Sequence, residues 1–195
     1  MMMSVFLRAA ERRKAAEGIL ADLQLVERWG RFGRPVIVGA LAYDLIVDFD
    51  IDMEIYCPDL QIDHGFQVLR ECAQNSHVTH AQFLNGLKTP DQALYWQIRY
   101  RDEENRDWKV DMWSAPEDYS LPRSEHFVEP MKKALTNETR KAILELKESR
   151  ANDNTLACLS IDLYRAVLED GVRCADDLRH WLQTHTTGQL TNWKP

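Results

Sequence analysis

Residues 47–56, VDFDIDMEIY, alternate without a break: Asp48, Asp50, Asp52 and Glu54 interleave with Phe49, Ile51, Met53 and Ile55. A period of two predicts a β-strand with one apolar and one acidic face. The pattern returns at 93–101, where Leu94, Trp96, Ile98 and Tyr100 oppose Tyr95, Gln97, Arg99 and Arg101. It returns again at 107–113, with Trp108, Val110 and Met112 against Asp107, Lys109, Asp111 and Trp113. The polar run Asp102 to Arg106 between them reads as a hairpin loop. A short apolar strand, Val36 to Val38, runs into Gly39 and Ala40, and Pro58 closes the acidic strand.

Helical periodicity governs the rest. Residues 4–29 carry a cap candidate in Ser4 and apolar positions at Ile19, Leu20, Leu23, Val26 and Trp29, ending at Gly30, Gly33 and Pro35. Residues 63–75 place Phe66, Leu69 and Cys72 three apart. Further helices are predicted over 130–149, 153–170 and 175–185, with Pro116, Pro122 and Pro130 marking the passage from sheet to helices. The fold class is α+β: a mostly antiparallel sheet with helices on its apolar face, followed by an α-helical section. The expected division is a core over 1–125, including the N-terminal helix, and a helical region over 126–195.

Composition narrows the function. The formal net charge of −7 weighs against a nucleic-acid scaffold, which needs a basic face. It is compatible with an anionic substrate held through a metal ion and suits a cationic co-substrate. The four cysteines are scattered, so buried thiols are expected rather than a disulfide framework. No apolar run approaches a membrane span, and the charges of the N-terminus follow a very short apolar stretch, the reverse of a secretory signal; the expected location is cytoplasmic. Homo-oligomerisation stays open.

The acidic row is the candidate chemistry. Without a cation it would repel itself and raise its own pKa values. The competing reading is the solvent face of an amphipathic edge strand, although Asp is a poor strand former. Spacing favours the first reading. Gly39 ends an apolar strand eleven positions before Asp50, and Asp111 stands between apolar residues fifty-nine positions after Asp52.

Strand, Gly-small, Asp-Ile-Asp and a later apolar-Asp-apolar together resemble the nucleotidyltransferase superfamily, the fold of DNA polymerase β and the antibiotic nucleotidyltransferases. The likeness covers residues 36–113, and "WKVDMWSAPEDY" also resembles the third-carboxylate strand of the aminoglycoside-modifying members. It implies that Asp50, Asp52 and Asp111 bind Mg²⁺ as a two-ion site, with an NTP as co-substrate. It also implies that Asp111 takes the acceptor proton in some members, and that Gly39 lets the backbone approach the triphosphate. The chain departs from the pattern at Ala40, where the family usually has Ser. Lys109 and Arg99, on the polar strand faces, are candidates to contact the triphosphate. Trp113 shares the face of Asp111 and is a candidate to lie beside the base or acceptor. Asp48 and Glu54 flank the ligands, with solvent exposure expected for Glu54, and His77 and His80 read as ordinary histidines.

The resulting expectation is a nucleotidyltransferase moving a nucleoside monophosphate to a hydroxyl of a small molecule or protein. Nucleic acid is not the expected acceptor, and no membrane is expected. The alternatives are a catalytically impaired relative acting as a nucleotide-binding or protein-interaction module, to which Ala40 points, and a plain divalent-cation binder.

Overall fold

A computed structural model describes residues 3–188 and 193–195; positions 1–2 and 189–192 of the two expected regions lie outside the described residues. Five strands form one sheet in the order β1-β2-β5-β4-β3. They are β1 (Arg34–Val38), β2 (Asp50–Cys57), β3 (Val78–Asn85), β4 (Leu94–Arg101) and β5 (Asp107–Pro116). Only β2 and β5 run parallel; the other neighbours are antiparallel. The sheet is mixed and mostly antiparallel, as expected.

Helices α1 (Val5–Asp22), α2 (Leu25–Gly30) and α4 (Ile62–Cys72) cover its apolar face, while α3 (Gly39–Ala42) is a single turn after β1. Ile51, Met53 and Ile55 of β2 meet Trp96 and Ile98 of β4 and Trp108, Val110 and Met112 of β5 in this core. Each buried indole has a partner for its N–H, so the bulky rings are buried without an orphaned donor. Trp29 donates to Met112 Sδ at 3.1 Å, Trp96 to Ser114 Oγ at 2.9 Å and Trp108 to Asp102 Oδ2 at 2.8 Å. Gly65 lets α4 settle on the Trp96 ring, because a Cβ there would overlap that ring.

The helix expected over 4–29 breaks at Gln24, whose φ is +47°. Leu23 and Leu25, two positions apart, are both buried. A straight helix cannot aim such a pair at one core, and the left-handed residue between them re-aims the chain.

The helix expected over 130–149 is two: α5 (Glu125–Ala134) and α6 (Asn137–Asn152), separated by the extended Leu135 and restarted by a Thr136–Thr139 capping box. The 153–170 helix reduces to a 3-10 turn at Asn154–Leu156 and α7 (Ser160–Leu168), and α8 spans Ala175–Thr184. These helices build a second core around Leu144, Leu163, Leu178 and Trp181, into which Tyr43, Leu45 and Val47 also insert. No helix among the described residues is long and apolar enough to cross a membrane.

Candidate functional site

The parallel pairing of β2 with β5 sets the site. Asp50 lies opposite Lys109, Asp52 opposite Asp111 and Glu54 opposite Trp113. Residues paired in this way share a face, with strands about 4.8 Å apart. The antiparallel pairing to β4 adds Arg99, Gln97 and Tyr95 beside Lys109, Asp111 and Trp113. The polar face predicted from alternation is therefore real and continuous across three strands.

The row is three carboxylates long on the strand rather than four. β2 begins at Asp50, because Leu45, Ile46 and Val47 are already buried. Asp48 precedes the strand and meets Arg150 at 3.3 Å and Lys147 at 3.6 Å. Glu54, expected at the surface, accepts hydrogen bonds from the backbone N–H of Ser124 (2.8 Å) and Glu125 (3.0 Å) and from Tyr56 Oη (2.6 Å). Asp111 is held by Tyr95 Oη at 2.7 Å and Gln97 Nε2 at 3.1 Å on one oxygen and by Lys109 Nζ at 2.7 Å on the other.

Asp50 and Asp52 are the exceptions. Among the described residues neither accepts a hydrogen bond or forms an ion pair. Burial, then the charges of Asp50 and Asp111, push the Asp52 carboxyl up to about 7. Burial likewise raises Asp50, against the opposing pull of Lys147.

Both carboxylates open into a cavity of about 360 Å³, within the range of small-ligand sites. Gly39, Ala40 and Tyr43 after β1, Trp113 of β5, residues 122–124 and, from the helical section, Lys147, Ser160 and Tyr164 line it. Gly39 touches Asp52 directly. Its φ is +65°, and a Cβ at that position would collide with Asp52 Oδ2. Gly39→Ala is expected to cost about 1–2 kcal/mol of stability through backbone strain. It should also displace Asp52 enough to lower any activity by about 100-fold. Thermal denaturation and a nucleotide-dependent assay of the variant check both.

No protein-family model matches the chain, and no curated protein does. Solved structures do. The Cid1 poly(U) polymerase bound to MgGTP superposes with a TM-score of 0.62 at 15% identity, over 81% of this chain and 50% of that one. Cid1 with its short product ApU gives 0.59 at 13% identity, over 81% and 48%. A cytoplasmic RNA terminal U-transferase gives 0.57 at 14% identity, over 80% and 45%. The chain has the nucleotidyltransferase fold. It spans about half the length of these structures.

Within this nucleotidyltransferase fold, Gly39, Ala40, Asp50, Asp52 and Trp113 line the cavity; Asp111, Lys109 and Arg99 lie just beyond it on the same sheet face. Arg99 donates to Gln97 Oε1 at 3.2 Å. Ala40 offers no hydroxyl, but Ser160 lines the same cavity. Lys147 is the residue that sequence reasoning missed. It is 1% exposed, and Nζ donates to Leu45 O at 3.1 Å. Burial pushes its ammonium down, opposed by Asp48 and Asp50.

The donor set suits one metal chemistry. Among the described residues no three His, Cys, Asp or Glu side chains group into a metal cage. Mg²⁺ does not need one, since it is commonly held by one or two carboxylates together with substrate phosphates and water. Two adjacent, unpartnered, oxygen-only carboxylates at a cavity wall fit that requirement, and the lack of nearby His or Cys disfavours zinc.

Proposed function

We propose that the chain is a nucleotidyltransferase that moves a nucleoside monophosphate from an NTP to an acceptor hydroxyl. The observation that carries this reading is the pair Asp50 and Asp52: half-buried carboxylates left without a hydrogen-bond or ion-pair partner at a cavity, while Asp48, Glu54 and Asp111 are each engaged by neighbours. Asp50 and Asp52 would hold Mg²⁺; Asp111, opposite Asp52 on the adjacent strand, would join a two-ion site only by exchanging one of the donors it holds, Lys109, Tyr95 or Gln97. Magnesium bound there supplies charge neutralisation for the phosphates of the NTP.

The chain's own residues supply alignment, which dominates phosphoryl chemistry. Gly39 clears backbone space beside Asp52, and Lys147 and Ser160 would donate to triphosphate oxygens at the Asp48 and Asp50 end of the cavity. Lys109 fixes Asp111, with Arg99 behind it at the outer edge of the site. Asp111, with both oxygens accepting hydrogen bonds, holds its place rather than acting as an open base. The acidic chain favours a small-molecule or protein hydroxyl as acceptor; the polymerase and U-transferase structures it resembles add a polynucleotide end to the range.

A second reading has a specific observation behind it. Ala40 and the donor-saturated Asp111 together fit a protein that binds nucleotide without turning it over. Thermal denaturation with ATP, GTP, CTP or UTP, with and without Mg²⁺, tests the shared premise. Stabilisation that needs metal and nucleotide together supports it, and at a ligand concentration of 100 times Kd amounts to about 2.7 kcal/mol. Stabilisation by metal alone would identify a cation binder, and no stabilisation would remove the nucleotide from the account. Label transfer from the nucleotide to candidate acceptors then separates turnover from binding.

A further inference from the structure

The cavity is polar in a directional sense. At one end Lys147 meets Asp48 at 3.6 Å, and Ser160 lies beside Arg150, which also holds Asp48. At the other end Trp113 pairs with Glu54 across the strands, and Ser124, flanked in the chain by Pro122, Arg123 and Phe127, donates its N–H to Glu54. An NTP has the same asymmetry, anionic at one end and aromatic at the other. We infer that the wall formed by residues 122–127 and Trp113 receives the nucleobase, and that Glu54 is the positioning residue that fixes this wall. The inference rests on the nucleotidyl-transfer reading and assigns one end of its cavity.

Glu54 is well placed for the role. It sits two positions beyond Asp52 on the same strand face, so its location is rigidly tied to that of the candidate ligands. Its two oxygens accept the backbone N–H groups of Ser124 and Glu125, where α5 begins. These are donors a helix cannot satisfy internally, and a carboxylate there also complements the helix dipole.

The rest of the segment is latched as firmly. Arg123 donates to Glu117 O at 2.7 Å and Tyr119 O at 2.9 Å and stacks over the Tyr56 ring at 4.4 Å. Arg34 clamps Glu125 at 2.8 Å. Ser124 is itself exposed, so its hydroxyl is open to solvent or to a ligand. The Ser124 hydroxyl has no hydrogen-bond partner among the described residues and lies at the cavity. A fixed wall with aromatic faces at Trp113 and Phe127 and one free hydroxyl is what stacking on a base and reading its polar edge require.

The test separates the base from the phosphates by using inorganic tripolyphosphate, which has no base. The full chain is titrated with Mg·NTP and with Mg·tripolyphosphate, read by thermal shift and calorimetry, for wild type, Glu54→Gln, Trp113→Ala and Trp113→Phe. The Gln substitution keeps the size of Glu54 but turns an NH₂ toward one backbone donor. The expected result is an NTP affinity about tenfold weaker in Glu54→Gln and Trp113→Ala. Discrimination among the four bases should narrow, Trp113→Phe should be near wild type, and tripolyphosphate affinity should not change. A purely structural defect would weaken both ligands together and overturns the assignment. So does wild-type binding in which tripolyphosphate equals the NTP, or a Glu54→Gln protein that binds NTP as wild type does. If neither ligand binds wild type, the nucleotidyl-transfer reading fails first and takes this inference with it.

Discussion

Asp52→Asn is expected to abolish Mg-dependent nucleotide stabilisation, lower transfer by at least about 1000-fold, and yet make the metal-free protein more stable at pH 8. The two effects have one cause. In the folded chain the Asp52 carboxyl is raised from the ordinary 3.8 to about 7, by burial first and then by Asp50 and Asp111. Between those pH values the unfolded chain has released the proton while the folded chain retains it. Stability therefore falls as pH rises from about 4 to about 7 and levels off above, the loss reaching up to about 4 kcal/mol.

Asparagine carries no such proton, so the variant gains over wild type nothing at pH 4 and the full difference above pH 7. Adding Mg²⁺ and nucleotide should restore wild type and leave the variant unmoved. Urea denaturation at pH 4.5, 6 and 8 reads the first effect, and the thermal shift with ligand reads the second. A variant less stable than wild type at pH 8 would mean that Asp52 is satisfied as it stands and is not waiting for a cation.

This pairing of burial with unmet charge was half legible in the sequence. Alternation in β2, β4 and β5 encoded which side chains share a face, because strand parity is local and needs no knowledge of the partner. The opposition of Asp52 and Asp111 followed once β2 paired with β5, and the Gly39 spacing pointed to it. Parity could not tell which carboxylates would be neutralised. Glu54 looks like Asp52 in the sequence, but its partners are backbone groups seventy positions away, at the start of α5. Asp48 continues the alternation, yet Leu45 and Val47 before it insert into the second core while Ile46 enters the first, and Asp48 stays off the strand.

β3 is legible only as a strand entry around His77 and His80, for another reason. At the sheet edge, Thr79, His80, Ala81 and Gln82 are all exposed, so no apolar alternation marks it. The predicted helices in the second half merged across Leu135 and Leu159, whose extended backbone is imposed by packing and capping rather than by a glycine or proline at the break. The one signal that could have revealed Lys147 is its register: it falls four positions after Ile143, on the buried side of α6, where a lysine has no reason to lie unless an anion meets it.

That register leads to the second large effect. Lys147→Met should weaken Mg·NTP binding by about 10- to 100-fold, the worth of a charge-assisted hydrogen bond to phosphate in a buried site. Methionine matches the lysine stem in length and flexibility, so packing between α6 and the 43–47 segment is preserved. The electrostatic balance without ligand shifts little against folding. Asp48 keeps Arg150 at 3.3 Å, the Leu45 carbonyl loses one donor, and the cost of burying an ammonium disappears.

Lys147→Met should therefore denature within a few degrees of wild type while its nucleotide-dependent shift shrinks, and Lys147→Arg, longer and forked, should not rescue it. Tripolyphosphate supplies the decisive comparison. Because Lys147 stands at the phosphate end of the cavity, its loss must weaken tripolyphosphate and NTP by the same factor, the opposite of the outcome expected for Glu54. An unchanged tripolyphosphate affinity would place the lysine outside the phosphate path and leave it as a buried counter-charge to Asp48 alone.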